Sequence, residues 1–239
     1  MKGLLSYKAE FESEGTRYHE LKELQSIAKD VPVSVKIGGC EAIRDLYDCQ
    51  DLGITTVVAP MIETSYAASK FVGALKKIYK VKPKSYINIE THTAYKNIDT
   101  ILDVVTPDLN GIVFGRVDYV SSLGMNRESV NDNAVLTVVK DVKRRCDDYG
   151  LDFILGGAVS FDSIPFLQEV GSKFETRKCI FDQSSANVST LIEAINFELR
   201  WLKTIQSDDR IRIMMLEKRL NKTLATRHAN LPIKKFEDR

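Results

Sequence analysis

Glu90 and Asp118 are the residues of this 239-residue chain whose types and placement point most directly to chemistry. Each closes a short apolar segment, Tyr86-Ile87-Asn88-Ile89-Glu90 and Gly111-Ile112-Val113-Phe114-Gly115-Arg116-Val117-Asp118. Between them Ile98, Ile101, Leu102 and Val105 recur at helical spacing. If the two segments are strands that pair in parallel across such a helix, they lie about 4.8 Å apart and both carboxylates emerge on one rim. Two hard oxygen ligands on one rim suit a Mg²⁺-like ion, which takes one or two carboxylates and completes its shell with water and substrate. The expectation is a metal-assisted enzyme. The plainer reading of either residue is a surface carboxylate at a helix start, where the dipole favours negative charge.

Such a pair needs a repeated strand–helix scaffold. Strands are expected at Leu4–Glu12, Val33–Ile37, Thr56–Met61, Ser85–Glu90, Gly111–Phe114, Phe153–Leu155 and Lys178–Phe181. Helical stripes fall between them, such as Ala68, Phe71, Val72, Leu75 and Tyr79, and Val135, Val138, Val139, Val142 and Cys146. This alternation predicts a parallel sheet with helices outside, closed as a barrel or open and doubly wound. Parity favours the barrel. Leu5, Tyr7, Ala9 and Phe11 oppose Lys8, Glu10 and Glu12, and Val33, Val35 and Ile37 oppose Ser34, Lys36 and Gly38. An open sheet covered on both faces would show continuous apolar strands, whereas a barrel directs one face inward and places its chemistry at the C-terminal rim. Seven candidate strands stand against the ~8 of a TIM barrel. One is therefore missing or atypical. On all-parallel geometry Arg177 and Lys178 open the last strand at the end away from the chemistry.

With 44% hydrophobic and 28% charged residues the chain can bury a core, and a net charge of +1 gives no case for nucleic acid or a membrane surface. Cys40, Cys49, Cys146 and Cys179 form no Cys-x-x-Cys pair, which fits a reduced, cytoplasmic protein. No segment is apolar and long enough to span a bilayer. After Gln183 the pattern is helical. Val188, Leu191, Ile192, Ile195, Leu199 and Leu202 make one stripe, and Ile213, Leu216, Leu220 and Leu224, beyond Ser207-Asp208-Asp209, make a second. A catalytic barrel over 1–206 and a helical arm over 207–239 are expected. The arm would pack on a neighbouring subunit to make a homo-oligomer, or fold back across the barrel base.

Pro60-Met61-Ile62-Glu63, Ile89-Glu90-Thr91 with Asn97-Ile98-Asp99, and Gly115-Arg116-Val117-Asp118 followed by Ser121-Ser122-Leu123-Gly124 resemble the HpcH/HpaI aldolase and citrate lyase beta-subunit family. The resemblance runs from about Lys8 to Phe181. It implies a TIM barrel of the pyruvate kinase-like group and a lyase that makes or breaks a carbon–carbon bond beside an enolate. The cofactor it implies is Mg²⁺ or Mn²⁺, and the substrate a 2-oxo acid or an acyl-CoA related to citryl- or malyl-CoA. By position Glu90 and Asp118 would hold the metal, Asn88 would stand beside the substrate where the aldolases often carry Gln, and Gly115 and Arg116 would complete the substrate contacts. Lys36 stands where the family places an Arg that supports the enolate oxygen, a change that keeps charge but loses the bidentate fork. Pairing of Lys36 with Glu10 or Glu12 is the alternative to direct substrate contact. Ser13 falls where pyruvate aldolases carry a catalytic His; Glu10 or Glu12 could act as base, or as an indirect ligand through metal-bound water, with Glu63 a further rim carboxylate near the substrate. His19, His92 and His228 offer no obvious replacement. Gly38-Gly39 and Gly156-Gly157 could admit an anionic group, or serve only as tight turns. Three other readings remain: other enolate or phosphoenolpyruvate chemistry, a Schiff-base aldolase acting through lysine, and a barrel that binds without catalysing.

Overall fold

The computed structural model describes residues 1–206 and 209–228. Its strands and helices follow in the order β1 (Leu4–Glu10), α1 (Tyr18–Ala28), β2 (Val33–Lys36), α2 (Ile43–Asp51), β3 (Thr56–Ala59), α3 (Ser65–Ile78) and β4 (Lys84–Ile89). Next come α4 (His92–Lys96), α5 (Ile98–Val105), β5 (Gly111–Gly115), α6 (Arg116–Ser122), α7 (Asn133–Asp148), β6 (Asp152–Gly156) and α8 (Ile164–Val170). A hairpin, β7 (Lys173–Glu175) and β8 (Cys179–Phe181), leads into α9 (Val188–Ile205) and α10 (Arg210–His228). The eight strands close in sequence order into a barrel, the TIM-barrel-like fold expected.

The alternation in each strand divides the interior from the helix layer. Tyr7, Val35, Val57, Ile87, Ile112 and Phe174 belong to the main apolar core, shared with stripes such as Phe71 and Leu75 of α3 and Val139 and Val142 of α7. Each such buried apolar side chain contributes about 1.5–3 kcal/mol. The opposite parity points inward. Val58, Tyr86, Val113, Ile154 and Ile180 form a small apolar cluster of their own there. One layer further along the strands the inward side chains are Glu10, Lys36 and Asn88, all buried. Glu10 pairs with Lys36 within this layer, while Asn88 pairs with Val113 of the layer below, the stagger of a closed barrel.

Helix starts are fixed locally. Thr64, Thr91 and Asn187 accept hydrogen bonds from the backbone N–H of Ala67, Ala94 and Thr190, capping α3, α4 and α9. Gly171 ends α8 in the left-handed conformation at φ 61°.

The strand absent from the sequence reading is β7, only three residues long. It pairs in parallel with β6, but β8 runs antiparallel to both β7 and β1. The reason is the length of the link. A parallel crossover needs a dozen or more residues, and only Thr176, Arg177 and Lys178 lie between these strands. Reversal moves Arg177 and Lys178 to the C-terminal rim, which corrects their expected place at the far end.

From the end of β8 the chain restarts at the bottom of the barrel, and α9 climbs its outer wall, with the Phe197 ring 4.5 Å from that of Tyr7 and tilted by 34°. The second helical stripe does not cross the base. In α10, Arg212 contacts Glu14 at 3.1 Å, Arg219 donates to the Val159 carbonyl and Lys222 faces Asp162 at 3.5 Å, so the helix lies along the β6–β8 side of the C-terminal rim and has partners in its own chain. Of the arm expected over 207–239, residues 207–208 and 229–239 lie outside the described residues.

Candidate active site

The C-terminal rim gathers charge because the inward face of each strand turns polar there. Lys8 and Glu10 project from β1, Lys36 from β2, Asn88 from β4 and Glu175 from β7; Glu90 follows the last residue of β4. All are buried. Two glycines make this possible. A Cβ at Gly115 would lie 2.7 Å from Glu90 Oε2, and one at Gly156 would lie 3.0 Å from Glu175 Oε1.

Lys36 stands at the centre. Its Nζ is 2.6 Å from Glu12 Oε2, 3.9 Å from Glu90 Oε2 and 4.0 Å from Glu10 Oε1. Burial alone would lower its pKa, but Glu90, Glu10 and Glu12 outweigh that and raise it, so the amine stays protonated. The pairing with Glu10 or Glu12 is thus present, and it does not remove Lys36 from the mouth. Lys8 donates to Glu175 Oε1 at 2.5 Å, and its pKa is likewise raised by Glu175 and Glu10 against the effect of burial. Glu10 Oε1 accepts from Ser13 Oγ at 2.5 Å and Ser13 N at 3.2 Å. Burial would raise the pKa of Glu10, yet Lys8, Lys36 and Ser13 hold it below the usual carboxylate range.

Glu90, only 1% exposed, accepts from Asn88 Nδ2 at 2.7 Å and from Met61 N at 2.9 Å. Asp118 is not at a strand end as expected: β5 stops at Gly115, and Asp118 sits in the first turn of α6. It remains in the same field. Burial and then Glu90 raise its pKa, with Lys36 opposing. Five carboxylates, Glu10, Glu12, Glu90, Asp118 and Glu175, share this network with two ammonium groups, Lys8 and Lys36.

That surplus of negative charge, supplied wholly by oxygen donors, fits a Mg²⁺- or Mn²⁺-like ion. Asn88 Oδ1 adds a buried acceptor without a hydrogen-bond partner in the described residues. Among those residues no three Asp, Glu, His or Cys side chains converge as a closed metal cage. A cation held by Glu90 and Asp118 would therefore keep most of its shell for water and substrate.

Other expected site residues are placed differently. Arg116, expected beside the substrate, is fully buried, with its guanidinium taken up by groups of the chain itself. It donates to Gly156 O at 3.1 Å, Gly157 O at 2.7 Å and Asn131 Oδ1 at 2.7 Å, with its guanidinium 4.7 Å from the centre of the Phe166 ring. Burial among neutral acceptors pushes its pKa down to about 9. Gly115 serves Glu90 rather than a substrate, and Gly157, at φ 83°, packs against the Arg116 and Val117 amides. The Gly38 N–H donates to Asp45 Oδ2 at 2.7 Å. Glu63 reaches the rim but accepts from Thr91 Oγ1 at 2.6 Å, outside the Lys36 network. Glu12 lies beyond β1, half-buried, instead of inside the strand.

His92 is half-buried between Tyr95 and Tyr119, and its Nδ1 has no hydrogen-bond partner in the described residues. His19 is exposed on α1, and the His228 side chain lies outside the described residues. The residues not anticipated are Lys8, Glu175, Glu14 and Lys178. Lys8 was visible as an inward partner of Glu10, whereas the other three depended on the hidden hairpin. A cleft of about 190 Å³ between Gln25, Lys29, Pro32 and Ile54 lies at the opposite end of the barrel, away from all these groups.

The family model for HpcH/HpaI aldolase/citrate lyase matches residues 16–158, which takes in the segments of Lys36, Glu90 and Asp118 and ends ahead of β7. No curated protein matches the chain. Solved structures share the fold. An HpcH/HpaI aldolase/citrate lyase family protein from Burkholderia cenocepacia superposes with a TM-score of 0.62 at 14% identity over 84% of this chain and 86% of that one. An HpcH/HpaI aldolase from Desulfitobacterium hafniense gives 0.61 at 18% identity, covering 85% of each chain. RipC from Yersinia pestis gives 0.51 at 16% identity over 69% of this chain and 75% of that one.

Proposed function

We propose, from the premise that this chain belongs to the HpcH/HpaI aldolase/citrate lyase family, that its barrel mouth is the site of a divalent-metal-dependent carbon–carbon lyase acting on a 2-oxo acid or a related acyl-CoA. The observation that carries this reading is the position of Lys36, protonated and buried among Glu12, Glu90 and Glu10 beside Asn88. Glu90 and Asp118 would hold Mg²⁺ or Mn²⁺, which when bound supplies Lewis-acid polarisation of the substrate's carboxylate and carbonyl oxygens.

The chain's own residues account for the remaining work. In the cleavage direction a base takes the proton from the hydroxyl beside the scissile bond. The hydroxyl oxygen becomes the carbonyl of a departing aldehyde or ketone. The C–C bond electrons move toward the keto or thioester oxygen of the other fragment, and the resulting enolate takes a proton at carbon. Glu12, half-buried at the rim and 2.6 Å from Lys36, would take the hydroxyl proton. Glu10 is disfavoured as the base, since Lys8, Lys36 and Ser13 stabilise its ionised form against burial. Lys36 offsets the negative charge developing on the keto oxygen, at a point electrostatics can reach with little reorganisation. Asn88, held by Glu90, presents Oδ1 as an acceptor that orients a hydroxyl or amide of the substrate.

A lysine nucleophile needs a depressed pKa, and both Lys36 and Lys8 are shifted the other way. This weighs against the Schiff-base alternative. Reduced thiols throughout support a cytoplasmic setting: Cys40, Cys49, Cys146 and Cys179 are all free. Exposed Ile211, Met214 and Met215 on α10 support association of copies through this helix.

The test is Mn²⁺ titration, with turnover of 2-oxo acid aldols followed in parallel. Glu90→Gln should lower Mn²⁺ affinity at least about tenfold and abolish metal-stimulated turnover. Undiminished Mn²⁺ binding in that variant, or a borohydride-trapped adduct on Lys36, would overturn the assignment.

A further inference from the structure

The β5–β8 half of the mouth has the opposite charge balance. Arg127 begins the turn after α6, Arg177 lies in the β7–β8 hairpin, and Arg212 and Arg219 come from α10. Lys178 is fully buried, paired with Glu14 and 5.5 Å from the centre of the Trp201 ring. Two carboxylates answer these cations. Glu14 meets Arg212 at 3.1 Å and Arg177 at 3.4 Å, while Glu198 meets the same two arginines at 3.6 Å each.

Arg219 and Arg127 are left over. Among the described residues Arg219 makes no ion pair and donates only to the neutral Val159 carbonyl. Arg127 has neither an ion pair nor a hydrogen bond there, and feels Asp118 only at longer range. Arg219 is attracted by Glu198 but repelled by Arg127 and Arg177, and burial with that repulsion holds its pKa below the usual arginine value. Close by, Arg212 Nε and Trp201 Nε1 are buried donors without partners in the described residues. Arg127 and Arg177 are exposed, whereas Arg219 is half-buried, and a charge enclosed like that of Arg219 is costly unless an opposite charge joins it. Guanidinium forks match carboxylate and phosphate oxygens in bidentate geometry.

We propose that Arg127, Arg177 and Arg219 form an anion shelf that takes a second anionic group of the substrate, a carboxylate or a phosphate, at its end remote from Glu90 and Asp118. The shelf borders the acidic pocket through Arg127 and Asp118, so one elongated molecule could reach both. This deepens the reading of the mouth as a keto-acid site and rests on it for the word substrate. It also gives α10 a reason to lie on this side of the rim, since Arg219 is supplied by that helix.

Calorimetric titration of the metal-free full chain with inorganic phosphate tests the shelf alone. Phosphate should bind, and Arg177→Gln and Arg219→Gln should each weaken it about tenfold, whereas Arg219→Lys should retain part of the affinity. Arg177 is half-exposed, so its variant guards against loss of folding. A second arm compares 2-oxoglutarate with 2-oxobutyrate in the presence of Mn²⁺. The dicarboxylate should bind about tenfold more tightly, and Arg219→Gln should erase that preference. Absence of phosphate binding, phosphate affinity in both glutamine variants equal to that of the native chain, or equal affinity for the two keto acids where both bind would overturn the shelf. Phosphate binding that is lost in the variants, together with no Mn²⁺-dependent binding of either keto acid, would keep the shelf and sink the keto-acid reading.

Discussion

At the level of single residues, polar character on the inward face of the strands marks both ends of the barrel. At the base Asp152 accepts from Tyr86 Oη at 2.9 Å and from Lys173 Nζ at 2.8 Å. Burial would raise its pKa, but those two hydrogen bonds hold it below the usual carboxylate range. A depressed carboxylate stabilises the fold above its unfolded pKa, and that contribution is lost as pH falls through the folded value. Asp152→Asn should therefore melt at lower temperature than the native chain at neutral pH and show a flatter decline between about pH 2 and 5. Melting curves with the same acid slope in both proteins would refute it. The residues legible in the sequence, Lys36, Asn88 and Glu90, share one property: a strict two-residue alternation fixes which way they face. Arg116 lacked that guide. It stands just past a strand, where a motif gives position but not direction, and its side chain turned to three carbonyl groups and Asn131.

Among the elements, the β7–β8 hairpin separates this barrel from the regular pattern. Lys173-Phe174-Glu175 is too short to show periodicity, so the eighth strand was invisible. Its consequence was nonetheless written in the chain, since three residues before Cys179 cannot hold a crossover helix. The reversed strand is tied to the rim by Lys178, which is fully buried and paired with the equally buried Glu14 carboxylate. Lys178→Met leaves Glu14 with Arg177 and Arg212 alone and should destabilise the protein by about 3 kcal/mol, the lower end for breaking a buried pair. Urea denaturation would show this as a lower midpoint with an unchanged slope. A midpoint equal to that of the native protein would mean that the two arginines suffice.

For the molecule as a whole, the second helical stripe gave the length and amphipathic character of α10 but not its destination. Which end of the barrel it met depended on the direction of β8, and that was hidden. Leu216 is buried, while Ile211, Met214 and Met215 are 71%, 63% and 65% exposed. If copies of the chain associate through this helix, light scattering should return a mass of at least two chains, and Met214→Glu with Met215→Glu should return it to one. A native mass of one chain would end that expectation. No helix among the described residues is long and apolar enough to cross a membrane. The inverted final stave has a practical corollary for anyone handling this molecule. Met1 lies by Glu193, early in α9, at the closed end of the cylinder, whereas Lys222, late in α10, reaches Asp162 at the open end. An affinity tag or surface tether fused ahead of Met1 would start from the end of the cylinder remote from Lys36 and Glu90.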